Sequence, residues 1–371
     1  MADNVTIDGF TIQGSNLDPT TNPQCFGAGI WTNPGFSGTQ GGHQILNNVI
    51  QNNISGIELD STCAANPTVV KFNLIQNNNN PGAGSGNGIQ DNFVLCHATI
   101  DSNKFVGNSS SGILSLNGSN ITVSNNEFGT NGGAIALLGV TSSTISTNNI
   151  HNSGSGADID IFGGVNGLSV SCNNFAMGAA RAIQVEDPYS VGPNANVTIN
   201  MNNISGYPTG LEADSGGYTP VAPNSLDATM NWWGSSTGPT IASNPGGTGE
   251  PIIDMAGVVK YAPFLTSVSG CAPCPNANPG CTTNRKDCHA FVEQEEKNFN
   301  KKQESDEKAF EAQQEAQEEQ FERTHPTRSQ REAFEAQQKA AKRNFDKQQE
   351  AAKDSFEAHY KAEEKQCNQL K

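Results

Sequence analysis

The sequence predicts two domains of different class: an all-β parallel solenoid over residues 1–269 and an all-α antiparallel helical hairpin over residues 288–371, joined by a Cys- and Pro-rich linker over residues 270–287. Three observations predict this division. The first 270 residues contain only four basic and 17 acidic residues, whereas the last 101 contain 17 basic and 20 acidic residues. An apolar–Asn–apolar pattern recurs in the first part, and phenylalanines recur every 11 residues in the second. One globular domain does not normally show such a shift in composition.

The repeat of the first domain has an apolar residue, Asn three positions later, and a large apolar residue two positions after that. Seven copies occur: Ile45–Asn48–Ile50, Val70–Asn73–Ile75, Ile100–Asn103–Phe105, Val123–Asn126–Phe128, Ile145–Asn148–Ile150, Val170–Asn173–Phe175 and Ile199–Asn202–Ile204. One unit is too short to bury its own apolar face, but stacked units share a continuous inner column. The pattern therefore predicts about nine stacked coils in which the Asn amides hydrogen-bond along a ladder.

Three short sequence segments resemble those of a known superfamily: Val123–Phe128 within the repeat, Asn231–Pro239, and Val258–Leu265. Over about residues 3–265 the sequence resembles the right-handed parallel β-helix superfamily, which includes pectin lyase-like proteins and NosD-type repeat proteins. The resemblance implies a right-handed parallel β-helix with a closing coil near residues 231–265. It implies no single activity, because the superfamily includes lyases, hydrolases, tailspikes and non-catalytic repeat proteins. The chain has no cluster of Met or His, so the copper role of the NosD family is not carried over.

The last domain is rich in Gln, Glu, Lys and Ala, which favour helices. Its phenylalanines form two series with an 11-residue period, Phe299–Phe310–Phe321 and Phe334–Phe345–Phe356, and Cys288 and Cys367 extend the series at their outer ends. An 11-residue period keeps a stripe on one face of a nearly straight helix. Pro326 interrupts the helix, so the turn is predicted near residues 324–327. In an antiparallel hairpin, residues whose numbers have the same sum lie opposite each other. The two phenylalanine series pair in this way, and the same rule places Cys288 opposite Cys367, so a Cys288–Cys367 disulfide is predicted. The alternative is a single amphipathic helix or an oligomeric coiled coil.

Acidic residues follow the second apolar position of three neighbouring coils. They are Asp158 and Asp160 around Ile159, Glu186 and Asp187 after Ile183, and Glu212 and Asp214 after Leu211. Stacking would bring these carboxylates within one or two strand spacings on a shared outer face. Repulsion between them would be relieved by Ca²⁺ or by a bound polyol. We therefore expect Asp160, Glu186, Asp187, Glu212 and Asp214 to bind substrate and Asp158, Asp160 and Glu186 to bind Ca²⁺, with a solvated acidic face as the alternative.

Arg181 is the only basic residue near these acids. Polysaccharide lyases of the superfamily combine Ca²⁺ with a basic residue that abstracts the proton beside a uronate carboxylate, so the resemblance makes Arg181 the candidate base. The sequence does not contain the catalytic motifs of pectate lyases or polygalacturonases. We therefore expect a structural or carbohydrate-binding protein, with a Ca²⁺-dependent polysaccharide lyase or a glycoside hydrolase acting on acidic polysaccharide as the alternative.

Cysteines and tryptophans have both structural and functional interpretations. Cys63 and Cys96 follow equivalent positions of two coils, so a disulfide between them is plausible, with Cys25 as a competing partner. Cys271, Cys274 and Cys281 could bind zinc with His289, although a disulfide-bonded linker is favoured in an oxidised chain. Trp232 and Trp233 could form a sugar platform, but the inward slot of Trp233 favours a packed cap with Tyr261, Phe264 and Leu265. The segment 14–42 interrupts the repeat and could cover a groove.

The composition also bounds the partners and the compartment. The first domain is nearly free of Lys and Arg, so it lacks the cationic surface that nucleic acid or an anionic membrane requires. No apolar run is long enough to span a bilayer. Nine cysteines and scarce Lys indicate an extracellular or cell-surface protein. The expected partner is a polysaccharide or a cell-surface component, and the oligomeric state is left open.

Overall fold

The computed structural model describes residues 3–15, 27–32, 41–63, 66–92, 94–154, 156–219, 225–273, 285–325 and 327–368. The chain separates into two compact units, Met1–Pro273 and Cys274–Lys371. The first unit consists of short strands, and the second of two long helices. Of the 14–42 insertion, only its ends and residues 27–32 lie within the described residues.

Three parallel sheets, here sheets A, B and C, build the first unit, and strands are numbered in chain order. Sheet A contains β1 (Thr6–Asp8), β4 (Gln44–Leu46), β7 (Thr68–Lys71), β10 (Ala98–Asp101), β13 (Thr122–Ser124), β16 (Thr141–Ser146), β19 (Asn166–Ser171), β22 (Thr198–Asn200), β25 (Leu226–Asp227) and β28 (Val259–Lys260). Sheet B contains β2 (Thr11–Gln13), β5 (Val49–Gln51), β8 (Leu74–Gln76), β11 (Lys104–Val106), β14 (Glu127–Gly129), β17 (Asn149–His151), β20 (Asn174–Ala176) and β23 (Asn203–Ser205).

Sheet C contains β3 (Ala28–Trp31), β6 (Ser55–Glu58), β9 (Ile89–Gln90), β12 (Ser111–Leu116), β15 (Gly133–Leu138), β18 (Ala157–Ile161), β21 (Arg181–Val185), β24 (Thr209–Ala213), β27 (Gly249–Asp254) and β26 (Pro239–Thr240). Each strand in a sheet pairs with the strand one coil away, so the chain passes from sheet A to B to C and then begins the next coil. The predicted parallel β-solenoid is confirmed. Because the sheets hold different numbers of described strands, the predicted count of about nine coils stays a prediction.

The repeat asparagines form the first Asn ladder at the corner between sheets A and B. It contains Asn48, Asn73, Asn103, Asn126, Asn148, Asn173, Asn202 and Asn231. At Asn126, the side-chain amide donates to Ile100 O at 2.9 Å and to Asn148 Oδ1 at 3.0 Å. The residue before each ladder asparagine has a positive φ, even where it is Phe72. The ladder therefore satisfies the buried backbone groups of a turn that the chain makes once per coil.

A second Asn ladder lies at the corner between sheets B and C. It runs through Asn53, Asn78, Asn108 and Asn131 and was not predicted from the sequence. The register of sheet B places Ser153, Gly178 and Tyr207 at the next three positions. A Cβ on Gly178 would lie 2.0 Å from the Tyr207 ring, so the ring occupies the space that the ladder leaves.

The core of the solenoid is the column of inward Ile, Val, Leu and Phe side chains, including the stacked Phe105–Phe128 pair with ring centroids 4.7 Å apart. Trp233 is fully buried at the closing coil, and Tyr261 and Phe264 pack against the core, in agreement with the predicted cap. Beyond β28 the chain turns back along the corner between sheets A and B. Ser269 N donates to Asn203 Oδ1 at 2.7 Å, and a Cys172–Cys271 disulfide follows.

The second unit contains helices α1 (Arg285–Glu322) and α2 (Arg328–Cys367). The Phe310 and Phe345 rings stack at 4.4 Å, and the Phe321 and Phe334 rings stack at 4.2 Å. Thr327 starts α2 with a capping box, because Gln330 Oε1 accepts the Thr327 N–H while Thr327 Oγ1 accepts the Gln330 N–H. The side chains of Cys288, Phe299, Phe356 and Cys367, and all of Pro326, lie outside the described residues.

Candidate functional site

The outer face of sheet C brings together most of the predicted acids. The register aligns Asp160 of β18 with Gln184 of β21 and Glu212 of β24 in one outward column. Glu186 and Asp214 lie just beyond the same strands, and Gln184 Nε2 donates to both of their carboxylates at 3.1 and 3.2 Å. We call Asp160, Glu186, Glu212 and Asp214 the acidic patch. A glutamine amide at its centre thus links two of its four carboxylates.

Arg181 is bound to a carboxylate of the acidic patch. It forms an ion pair with Glu212, which is only 7 % exposed. The hydrogen bond to Glu212 is the main cause that raises the pKa of Arg181 above its ordinary value, and Asp214 and Glu186 add to it. A Brønsted base must lose its proton before it can act, and these neighbours hold the proton on the guanidinium. The geometry therefore does not favour Arg181 as the base of a lyase.

Asp160 has the most unusual environment of the patch. Burial raises its pKa to about 7, and the charge of Glu186 adds to the effect, whereas Arg181 lowers it. Its Oδ1 is buried without a hydrogen-bond partner. Burial also raises the pKa of Glu186, with the charge of Asp214 as the next cause. Near neutral pH Asp160 can thus either donate or accept a hydrogen bond, which suits a hydroxyl ligand.

A groove of about 340 Å³ adjoins Asp160 on the same face. Small side chains from three successive coils form it, namely those of Ser109, Ser110, Ser111, Gly132, Gly133, Ala136, Gly156 and Ala157, together with Ile135. The side chains at these positions are small or face inward, so the sheet surface is open over β15 and the starts of β12 and β18. Asp160 is the member of the acidic patch that also lines this groove.

Asp158 does not lie on the outer face, and this corrects the prediction. It is 1 % exposed, in a column where neighbouring coils have Gly112, Ala134 and Ala182. The Tyr207 hydroxyl donates to Asp158 Oδ2, and Oδ1 is buried without a partner. Burial raises the pKa of Asp158 to about 6. Strict alternation of strand side chains misled the prediction, because the strands of sheet C turn two consecutive positions inward at their start.

Asp187, which is predicted to bind substrate, lies in the loop after β21 and contacts the backbone of that loop. Its carboxylate accepts the backbone N–H groups of Val191 and Gly192 at 2.9 and 3.1 Å, so it shapes the loop after β21. The three predicted Ca²⁺ ligands are not brought together, because Asp158 lies inside the solenoid and Asp160 and Glu186 lie outside it. Within the described ranges, no group of three or more His, Cys, Asp or Glu side chains could hold a metal ion.

The cysteines of the solenoid form two disulfides. Cys63 bonds to Cys96, one of the pairings left open by the sequence. Cys172 bonds to Cys271, which removes Cys271 from the alternative zinc set. Cys25, Cys274 and Cys281 lie outside the described residues.

Sequence reasoning missed a second acidic cluster near the start of sheet C. Glu58, Asp60 and Asp91 are each 0 % exposed. A signal for them was present, since Glu58 and Asp60 follow Ile57, and Asp91 follows Ile89, much as Asp160 and Glu212 follow their own apolar positions. We call these three residues the buried acidic cluster.

The fold agrees with a comparison of the sequence with known families. Residues 93–226 match the family model for the right handed beta helix region. This stretch contains β12, β15, β18, β21 and β24, and therefore both the groove and the acidic patch of the right-handed β-helix. No curated protein matches the chain. Among the described residues, no helix is both long and apolar enough to cross a membrane, and the two disulfides are consistent with an extracellular location.

Proposed function

We propose that this protein is a secreted or cell-surface β-helix repeat protein that binds carbohydrate along the outer face of sheet C. The observation that carries the proposal is the groove of about 340 Å³ that adjoins Asp160, whose Oδ1 is buried without a partner. A polysaccharide is itself a repeating, extended ligand, and an open floor across several coils offers it room. The disulfides of the solenoid support an oxidising location.

The charges favour a neutral or amine-bearing glycan over an acidic one. The acidic patch contains four carboxyl groups, and among the described residues Arg181 is the one cationic side chain that pairs with them. A uronate polymer would be repelled unless a divalent cation bridged it, and no three-ligand metal site occurs in the part of the chain that the structure describes. Carboxylates and the Gln184 amide are good partners for sugar hydroxyl and amino groups.

The alternative, a lyase or hydrolase acting on acidic polysaccharide, has weaker support. It needs Arg181 as a base, yet Arg181 is paired with Glu212 and its pKa is raised. A hydrolase would instead need two carboxyl groups on opposite sides of a bond. Asp160 could serve as a general acid because burial raises its pKa to about 7.

For the second unit we propose an antiparallel helical hairpin over residues 288–371 that serves as a spacer or docking arm, connected through the linker 270–287. The stacks Phe310–Phe345 and Phe321–Phe334 support this pairing, because residue numbers rise in one helix as they fall in the other. We expect Cys288 and Cys367 to close the open end. Non-reducing peptide mapping should recover these two cysteines in one cross-linked peptide, and any other partner for Cys288 would contradict the hairpin.

The carbohydrate proposal is tested by a glycan array with and without EDTA, followed by a product assay on polysaccharides. We expect binding to neutral or amine-bearing glycans that is insensitive to EDTA, with no new reducing ends and no unsaturated products. Turnover that the Arg181→Ala substitution abolishes would favour the lyase instead. An array without any signal above background would contradict carbohydrate binding.

A further inference from the structure

An aromatic pair lies on the outer face of sheet C, just beyond Asp160. The ring centroids of Phe162 and Tyr189 are 5.9 Å apart, and the ring planes are inclined at 67°. Tyr189 is 68 % exposed, whereas Phe162 is half-buried. A tyrosine exposed to this extent buries little of its apolar ring within the protein, so the ring is available to a ligand.

The strand register places Phe162 beside the groove. Its N–H donates to Leu137 O at 3.0 Å, and the Glu186 N–H donates to Ile161 O at 2.9 Å, so the pairing of sheet C continues beyond the end of β18. Ile161 is fully buried. Because side chains alternate along a strand, Phe162 lies on the same outer side as Asp160, about 7 Å further along. The groove, Asp160 and the aromatic pair therefore follow one another along β18.

The loop after β21 is fixed against the chain that follows Phe162. The Asp187 carboxylate closes this loop by accepting two of its backbone N–H groups. A Cβ on Gly163, whose φ is +114°, would lie 2.5 Å from Asp187 Oδ1 and 2.6 Å from Val191 Cγ2, so this close approach requires glycine. The loop thus holds Tyr189 in place before a ligand arrives, and a preorganised ring loses little entropy on binding.

We propose, on the basis of the carbohydrate binding inferred for this face, that Phe162 and Tyr189 form an aromatic subsite for an equatorially linked polymer of gluco-configured sugars. Cellulose and chitosan are polymers of this class. All ring substituents of such a sugar are equatorial, so its C–H face is apolar and packs against an aromatic ring. The exposed ring of Tyr189 supplies the packing surface, and Phe162 supports it from the side.

The shape of the face favours a straight chain. The distance along β18 from Gly156, at one end of the groove, to Phe162 is about 20 Å, which accommodates several sugar rings in a row. Equatorial linkages keep a chain flat and extended, whereas axial linkages, as in amylose, curve it away from the floor. Hydroxyl groups point sideways from the edges of a flat chain, where Asp160 can donate or accept a hydrogen bond. An aromatic surface with a few polar groups is typical of a ligand site.

Titration calorimetry of the full chain with cellohexaose and with maltohexaose tests the aromatic subsite. The two probes contain the same sugar and the same number of rings but differ in linkage. We expect the wild type to bind cellohexaose at least about tenfold more tightly than maltohexaose, and Tyr189→Ala to weaken cellohexaose binding by about tenfold or more. Tyr189→Phe keeps the ring and should bind like the wild type. Phe72→Ala removes an exposed ring at the corner between sheets A and B and should leave the Kd unchanged.

Different results would overturn the aromatic subsite and carbohydrate binding as a whole. An unchanged Kd for cellohexaose in Tyr189→Ala, or equal weakening in Phe72→Ala, would overturn the subsite and leave carbohydrate binding in place. Maltohexaose bound as tightly as cellohexaose, or an array that reports only other sugars, would overturn the proposed sugar class. A wild type that binds neither probe nor any glycan of the array would overturn carbohydrate binding itself, and the subsite with it.

Discussion

The two Asn ladders occupy equivalent corners of the same solenoid but differ in length and ending. The first ladder is continuous from Asn48 to Asn231, whereas the second ends at Asn131 and is followed by Ser153, Gly178 and Tyr207. The acidic side chains Asp158 and Asp160 appear on the next coil. The difference teaches that a ladder gives regular coils, and that its interruption makes room for a buried carboxyl group and for a change in the outer surface.

The largest expected effect comes from breaking the continuous ladder. Asn126→Ala removes an amide that bonds Ile100 O and Asn148 and leaves the Asn103 N–H without its acceptor. Buried groups that lose their partners cost about 1–3 kcal/mol each, so we expect a loss of about 3–5 kcal/mol in the free energy of unfolding. Urea denaturation measures it. Asn131→Ala, at the end of the second ladder, should cost about 1 kcal/mol less, and equal losses would show that position in the ladder does not matter.

Tyr207 occupies the corner where the second ladder has ended, and its hydroxyl should stabilise the fold at this point. Tyr207→Phe keeps the ring over Gly178 but removes the hydroxyl that donates to Asp158. We expect a loss of about 2 kcal/mol at pH 7.5, because a buried carboxylate loses one of its two donors and keeps only Ser153, and a smaller loss at pH 5, where Asp158 is mostly protonated. Denaturant unfolding at the two pH values checks this. An equal loss at the two pH values would show that the effect of the hydroxyl does not depend on the charge of Asp158.

Asp158, on the coil where the second ladder has ended, should make the stability of the protein depend on pH. The pKa of Asp158 is raised to about 6 in the folded protein. The stabilisation that the protonated Asp158 adds to the free energy of unfolding is therefore fully present below pH 3.8 and is lost as pH rises through 6. Relative to Asp158→Asn, the wild type should lose about 2–3 kcal/mol of stability between pH 4 and pH 7. The difference between the two unfolding curves isolates Asp158 from the other shifted acids. Parallel curves would contradict its assigned environment.

The smallest effect is expected on the outer face of sheet B. Lys104 forms an ion pair with Glu127 at 2.9 Å, and both side chains are substantially exposed. Lys104→Ala should change the free energy of unfolding by less than about 1 kcal/mol, with a smaller change in 0.5 M salt than at low salt. Thermal unfolding at the two salt concentrations measures it. A loss as large as that of Asn126→Ala would mean that outer contacts, and not the ladder, hold the coils together.

The sequence predicts the first ladder well because one residue type recurs with one spacing in seven coils. The second ladder was missed although each of its members lies five residues after a member of the first ladder, because it ends after four residues and Ser153, Gly178 and Tyr207 take its next positions. Asp160, Glu186 and Glu212 could be placed together because their register follows from stacking. The burial of Asp158 could not be predicted, since it breaks the alternation of the strand by lying inside next to the inward Ile159, and the contact of Asp187 with its loop could not be predicted from stacking either.

The central claim is that the open floor of sheet C binds glycan, and one binding measurement tests it directly. Ala136 lines the groove, so Ala136→Tyr should fill it without touching the core. Ser146→Tyr places the same ring on the outer face of sheet A as a matched control. With the strongest ligand from the array, titration calorimetry should give a Kd at least about tenfold weaker for Ala136→Tyr and unchanged for Ser146→Tyr. An unchanged Kd for Ala136→Tyr, or equal weakening in both folded variants, would contradict the claim.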